Sequence, residues 1–163
     1  MEVNSELKGL QELVAATRAI QAKVEKARAE ALKASALTVH ALARRYAPIS
    51  PTQAQRNALR KTKRRVVRKA TAHTRAKPGG LTRSIEFYAG PDYASVFVAA
   101  NSEAGKYAAK IHDEKFKTWK RRGIGTIAKG SQADEKFIER ALADSEKKID
   151  AIFEAKLKKI GLG

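Results

Sequence analysis

The stretch from Ser5 to Ala47 constrains the fold most, because it is a long unbroken run of Ala, Leu, Lys, Glu and Arg, the strong helix formers. Leu10, Leu13, Ile20, Val24, Ala27 and Ala31 recur at spacings of three, four or seven, the period of one helical face. A second stripe, Leu32, Ala36, Val39, Ala43 and Tyr46, is offset by one residue, so the buried face is expected to rotate midway. Asn4 or Ser5 suits the N-cap, Gly9 offers a point at which the first turns could break off, and Pro48 disfavours helix at Ala47. Unbroken, such a helix would be on the order of 60 Å long at 1.5 Å per residue. That exceeds a compact domain of 163 residues, so part of it is expected to pack on a neighbouring subunit.

One domain, residues 1–163, is the expectation from length. The apolar share of 43% supports a core, yet only 6% of residues are aromatic and alanine is abundant, so the core should be modest and the helices alanine-faced. No apolar run reaches the roughly 18 to 20 residues of a membrane span. The start, Met1-Glu2-Val3-Asn4-Ser5-Glu6, lacks the basic-then-apolar order of a signal peptide, so a soluble protein that stays where it is made is expected, with no membrane partner. The chain contains no cysteine, which excludes disulfides, thiolate zinc sites and a cysteine nucleophile and fits a reducing cytoplasm.

The net charge of +17 is localised. From Ala31 to Ile85 there is no Asp or Glu against fourteen Lys and Arg, which leaves 20 basic residues and all 17 acids, a surplus of only +3, for the rest of the chain. The densest part holds Arg56, Arg60, Lys61, Lys63, Arg64, Arg65, Arg68, Lys69, Arg75 and Lys77. It lies between the turn Pro48-Ile49-Ser50-Pro51-Thr52 and the breaker Lys77-Pro78-Gly79-Gly80, so residues 48–80 read as an extended basic loop or arm. Ten like charges without a nearby acid repel one another, and they make best sense beside a polyanion or an acidic protein surface. Sparse aromatics disfavour stacking on single-stranded bases, leaving backbone contact without sequence readout. The segment has too few apolar residues to offset about 1 to 2 kcal/mol of backbone entropy per residue, so it is expected to order only with a partner.

Residues 81–130 should hold a hairpin, a short helix and a loop. Ile85 and Phe87 alternate with Glu86 and Tyr88, and Val96 and Val98 alternate with Ser95, Phe97 and Ala99, across a Gly90-Pro91-Asp92-Tyr93 turn. A short helix is expected over Lys106 to Asp113. Trp119, flanked by Lys117, Lys120, Arg121 and Arg122, reads as an anchor at the core edge. Residues 131–161 should form the closing helix, with Ser131-Gln132-Ala133-Asp134 as an approximate capping box. Its stripe is Ile138, Leu142, Ser145, Ile149, Ile152, Phe153 and Ile160, with Phe137, Ala141 and Lys156 beside it, and Gly161 as the stop.

Nothing in this pattern resembles a catalytic or cofactor site. His40, His73 and His112 are scattered, without HExxH or CxxC spacing, and His112-Asp113 reads as a surface or hydrogen-bonded pair. Gly123-Ile124-Gly125-Thr126-Ile127-Ala128 does not sit at the strand-to-helix junction that a dinucleotide fingerprint requires, and GxxxxGK[ST] is absent. The expectation is a non-enzymatic chain with no cofactor or metal.

Four segments in order carry a family resemblance: the helix ending at Ala47-Pro48; Gly80-Leu81-Thr82-Arg83-Ser84-Ile85; Lys106-Tyr107-Ala108-Ala109-Lys110-Ile111-His112 after the strands; and Lys136-Phe137-Ile138-Glu139-Arg140-Ala141-Leu142. Over roughly Leu32 to Leu157 the chain resembles the bacteriophage head-tail joining, or tail-completion, proteins. It departs from their commonest form between Thr52 and Pro78, where many members have only a few residues. The resemblance implies an α+β subunit with a long N-terminal helix, a small antiparallel sheet, and a C-terminal helix packed on the sheet. It further implies a homo-oligomeric ring of six or twelve copies in the virion neck, between the portal or connector and the tail proteins, around double-stranded DNA in the channel. The alternative is a stand-alone nucleic-acid-binding protein, ribosomal or nucleoid-like. A nuclease-like accessory factor is a third class, but it would need a carboxylate cluster that the basic half lacks.

Overall fold

The computed structural model describes residues 2–49, 79–102, 104–106, 108–109 and 136–161, with side chains from residue 9 onward. Helix α1 is Glu2–Tyr46, 45 residues and so about 68 Å long at 1.5 Å per residue. It begins ahead of the expected cap at Asn4 or Ser5 and runs through Gly9 without a break. A helix tolerates one glycine at a cost near 1 kcal/mol, which the flanking helix formers offset. The short helix α2 (Gly80–Ser84) leads directly into β1 (Ile85–Ala89), which pairs with β2 (Ala94–Val98), and α3 (Phe137–Lys159) closes the described chain. The architecture is α+β, as expected.

The hairpin is antiparallel, with Ile85 opposite Val98 and Phe87 opposite Val96, so the alternation read from sequence puts these four on the face toward α1. Gly90 closes the turn by donating its N–H to the Tyr93 carbonyl at 2.9 Å. At the far side of that turn, Arg28 of α1 donates to the Asp92 carbonyl at 2.8 Å and pairs with its carboxylate at 3.3 Å. His40 Nε2 lies 3.0 Å from the Ile85 carbonyl, and its ring stands 5.4 Å from that of Phe87. The sheet is thus tied to α1 at both ends.

Helix α3 runs antiparallel along α1, its start beside Tyr46 and its end beside Glu30. Its strongest packing is on α1, and it joins the sheet through a shared core of Val39, Ala43, Tyr46, Leu81, Ile85, Ala108, Phe137 and Ala141. Alanine supplies half of the buried positions on the two helices, which allows close axial approach. Phe137 is the largest fully buried side chain among the described residues.

Two sequence expectations for α3 need correction. The helix begins at Phe137, preceded by Lys136 in the left-handed region (φ 51°), rather than at the Ser131-to-Asp134 capping box, which lies outside the described residues. Of the expected stripe, Ser145 is buried and Ile138 and Ile149 pack against the core, but Leu142 is 56% exposed, and Phe137 and Ala141, expected beside the stripe, are the fully buried positions. The reason is that α1 presents alanines to α3. The face that fits such a shallow surface is the one with Ala141 and Ser145, and the Ser145 hydroxyl is satisfied by donating to the Ala141 carbonyl at 2.6 Å. The stop is as expected: Gly161 takes φ 81°, and Ile160 and Gly161 donate to the carbonyls of Leu157 and Lys158.

A polar junction closes the other end of the helix pair. Tyr46 Oη donates to Asp144 at 2.7 Å, and the Arg140 guanidinium sits 4.8 Å from the Tyr46 ring centre while reaching Asp144 at 3.9 Å. The bond to Asp144 first, and then burial, push the Tyr46 hydroxyl above the usual tyrosine range. A raised folded-state value means that this contribution is fully present below the ordinary tyrosine range and is lost as pH rises through the folded value. Tyr46→Phe is expected to cost about 1 kcal/mol in urea unfolding. It should also remove the latest-titrating component of the tyrosinate absorbance; retention of that component would assign it to another tyrosine.

Candidate functional site

All ten residues singled out for DNA or partner binding, Arg56, Arg60, Lys61, Lys63, Arg64, Arg65, Arg68, Lys69, Arg75 and Lys77, lie outside the described residues, as does the expectation that they order only with a partner. The two roots of the segment are described. On one side Ala47 is fully buried and donates its N–H to the Ala43 carbonyl at 2.8 Å, ending α1 just before Pro48. On the other, Gly79 takes φ 78°, a left-handed conformation that costs glycine little, and accepts the Arg83 N–H at 3.0 Å to start α2. Leu81, two residues on, is buried in the same core as Ala47. The residues flanking the basic segment on both sides are therefore anchored in one core, a placement that the sequence alone did not define.

Further cations stand around these roots. Arg44, Arg45 and Arg83 are exposed, and each has its own local interactions. A second basic place, not foreseen from sequence, is a shallow groove at the end of α3 lined by Lys23, Lys26, Glu30, Lys156, Lys159 and Ile160. Lys156 donates to Glu30 at 2.6 Å, and this bond, with the lysine charge, holds the Glu30 carboxyl below the usual carboxylate range. A lowered folded-state value keeps the link intact at neutral pH and releases it only as pH falls through that value. The helical spacing of Lys23 and Lys26 was visible in the sequence. Their meeting with Lys156 and Lys159 depended on the antiparallel course of α3.

The remaining sequence candidates divide in the same way. His40 is in place as a structural hydrogen-bonding residue on the sheet side of α1. His73, His112, Asp113, Trp119 and the Gly123-to-Ala128 string lie outside the described residues, and the expected helix over Lys106 to Asp113 is described only at residues 106, 108 and 109, which are helical. Among the described residues no three of His, Cys, Asp and Glu gather as metal ligands, and no helix is long and apolar enough to cross a membrane. The outer face of the hairpin carries exposed Tyr88, Tyr93 and Phe97, with the two tyrosine rings 5.1 Å apart. No protein-family model, curated protein or solved structure matches the chain.

Proposed function

We propose that this chain is a non-enzymatic structural subunit of a bacteriophage neck, forming a ring between the portal vertex and the tail around the DNA channel. In this reading Arg56 to Lys77 meets either DNA in the channel or an acidic face of an adjoining ring. The observation that carries the proposal is the convergence of the four segments behind the family resemblance: Tyr46 and Ala47, Leu81 and Ile85, Ala108, and Phe137 and Ala141 all contribute to one core. The long α1 also suits assembly, because among the described residues it extends well past α3, the helix packed on it.

The concentrated basic charge favours a second reading, a stand-alone binder of duplex nucleic acid. Copy number separates the two. Native mass spectrometry or electron microscopy of neck complexes is expected to show six or twelve copies in a closed ring. Only monomers or two-fold dimers in intact particles would remove the ring, and tight duplex binding by a monomer would favour the second reading. Turnover of nucleic acid that needs His112 or Asp113 would overturn the non-enzymatic reading.

A further inference from the structure

Every residue from Gly9 to Lys23 is exposed, and among them are Leu10, Leu13, Val14 and Ile20. These large apolar side chains are not scattered. Leu10, Leu13, Thr17, Ile20, Val24, Ala27 and Ala31 follow alternating steps of three and four, the spacing of a helix-packing seam. Ala27 and Ala31, at the lower end, are already buried. The seam becomes exposed where α3 ends, with Ile160 beside Lys23 and Ala27. Above that level α1 continues for about 30 Å without a partner helix among the described residues.

We propose that this exposed continuation of the seam, Leu10 to Val24 of α1, is a self-association surface whose occupant is the same stripe of a second copy of the chain.

Three observations select that occupant. The exposed stripe continues an existing helix-on-helix contact, so what fits it is another helix with the same period, and the chain's own α1 has that period. From Gly9 to Ala22 the flanks are uncharged: Gly9, Val14, Ala16 and Gln21 border the stripe, and the only charges there, Glu12 and Arg18, lie on the side of the helix turned away from it, while Lys23 borders the stripe at its lower end. In a protein of net charge +17 this is a neutral strip where two copies can meet without like charges opposed, and it offers an acidic partner nothing to pair with. A membrane surface is disfavoured too, since the polar face here lacks the rich Lys and Arg content of an interfacial helix and the apolar face has no aromatic residue. Finally, the one polar residue within the stripe is already satisfied, because the Thr17 hydroxyl donates to the Leu13 carbonyl at 2.8 Å and can be covered without losing its bond.

The seam rests on the ring reading only in taking another copy of this chain as the neighbour; like against like is a two-fold contact, whereas a ring closes through head-to-tail ones, so the two are tested separately. The test uses the full chain at raised salt, which screens its self-repulsion. In sedimentation velocity the wild type is expected to associate as concentration rises. A Leu13→Glu, Ile20→Glu variant should need at least ~10-fold more protein to associate, because it would bring unpaired carboxylates into the contact. Its helical circular dichroism and Tm should be unchanged, since Leu13 and Ile20 are 63% and 53% exposed and outside the core. With no native cysteine to interfere, the thiol of a Leu13→Cys variant should react with a maleimide in the dilute monomer and be protected in the associated form. Undiminished association of the glutamate variant overturns the seam, as does a wild type that stays monomeric throughout. Protection of the introduced thiol in the monomer overturns it as well, by showing that another part of the chain covers the stripe. A glutamate variant that stays monomeric in solution yet joins the neck ring supports the seam and leaves the ring reading standing. Seam-dependent association that stops at two-fold dimers is what a like-against-like contact predicts and supports the seam; failure of the ring reading is read separately, from copy number in intact particles.

Discussion

Phe137→Ala is expected to lower the unfolding free energy by about 3 to 5 kcal/mol, the range for removing a fully buried aromatic ring. The ring is 0% exposed and, among the described residues, is the one large aromatic side chain wholly inside a core in which alanine fills half the buried positions, with Leu81, Ile85 and Val39 among the rest. Alanines cannot move inward to refill the space, because their positions are set by the spacing of two helix backbones, so the cavity should remain open. Total stabilities of domains are themselves about 5 to 15 kcal/mol, so at the low end of that range this single change would leave the chain marginal or unfolded. Equilibrium urea unfolding would measure it. Phe137→Leu keeps much of the volume and should cost less than half as much. A loss below about 1 kcal/mol for the alanine variant would show that the core is not organised around this residue.

Replacing Arg64, Arg65, Arg68 and Lys69 together with glutamine is expected to have the largest effect on binding. If these four side chains neutralise four phosphates of duplex DNA, the slope of log K against log salt should flatten by about 3.6, from roughly 0.9 per phosphate. Extrapolated from about 1 M salt to about 0.15 M, that slope corresponds to a loss of affinity of about a thousandfold. Tm measured on the same variant separates lost binding from lost folding. Fluorescence anisotropy of a labelled duplex over a salt series gives both quantities. An acidic protein face as the target would shift the effect from the duplex to binding of the adjoining ring, measured in parallel. Unchanged affinity for both targets would remove the segment from the proposed function.

Much of the architecture was legible in the chain because it depends on local chemistry. The helix formers from Ser5 to Ala47, the Ala47-Pro48 stop, the Gly90-Pro91-Asp92-Tyr93 turn between alternating strands and the Gly161 terminator each act over a few residues, and each is found where expected. The localisation of charge between Ala31 and Ile85 is likewise a property of order along the chain. Which helical face becomes core is a different kind of question. Leu142 looked like a seam residue and is exposed, while Ala141, expected beside the stripe, is buried, because the line that α3 turns inward runs through Phe137, Ala141 and Ser145. Leu10, Leu13 and Ile20 share the apolar period of Ala27 and Ala31, yet α3 covers only the latter pair, since its 23 residues reach no further along the 45 of α1. The closeness of Lys23 and Lys26 to Lys156 and Lys159, and the burial of both roots of the basic segment in one core, follow from the antiparallel course of α3 and the return of α2 to the end of α1. Periodicity in a single helix states that a face is apolar; only the length and direction of the element lying against it decide how much of that face is covered.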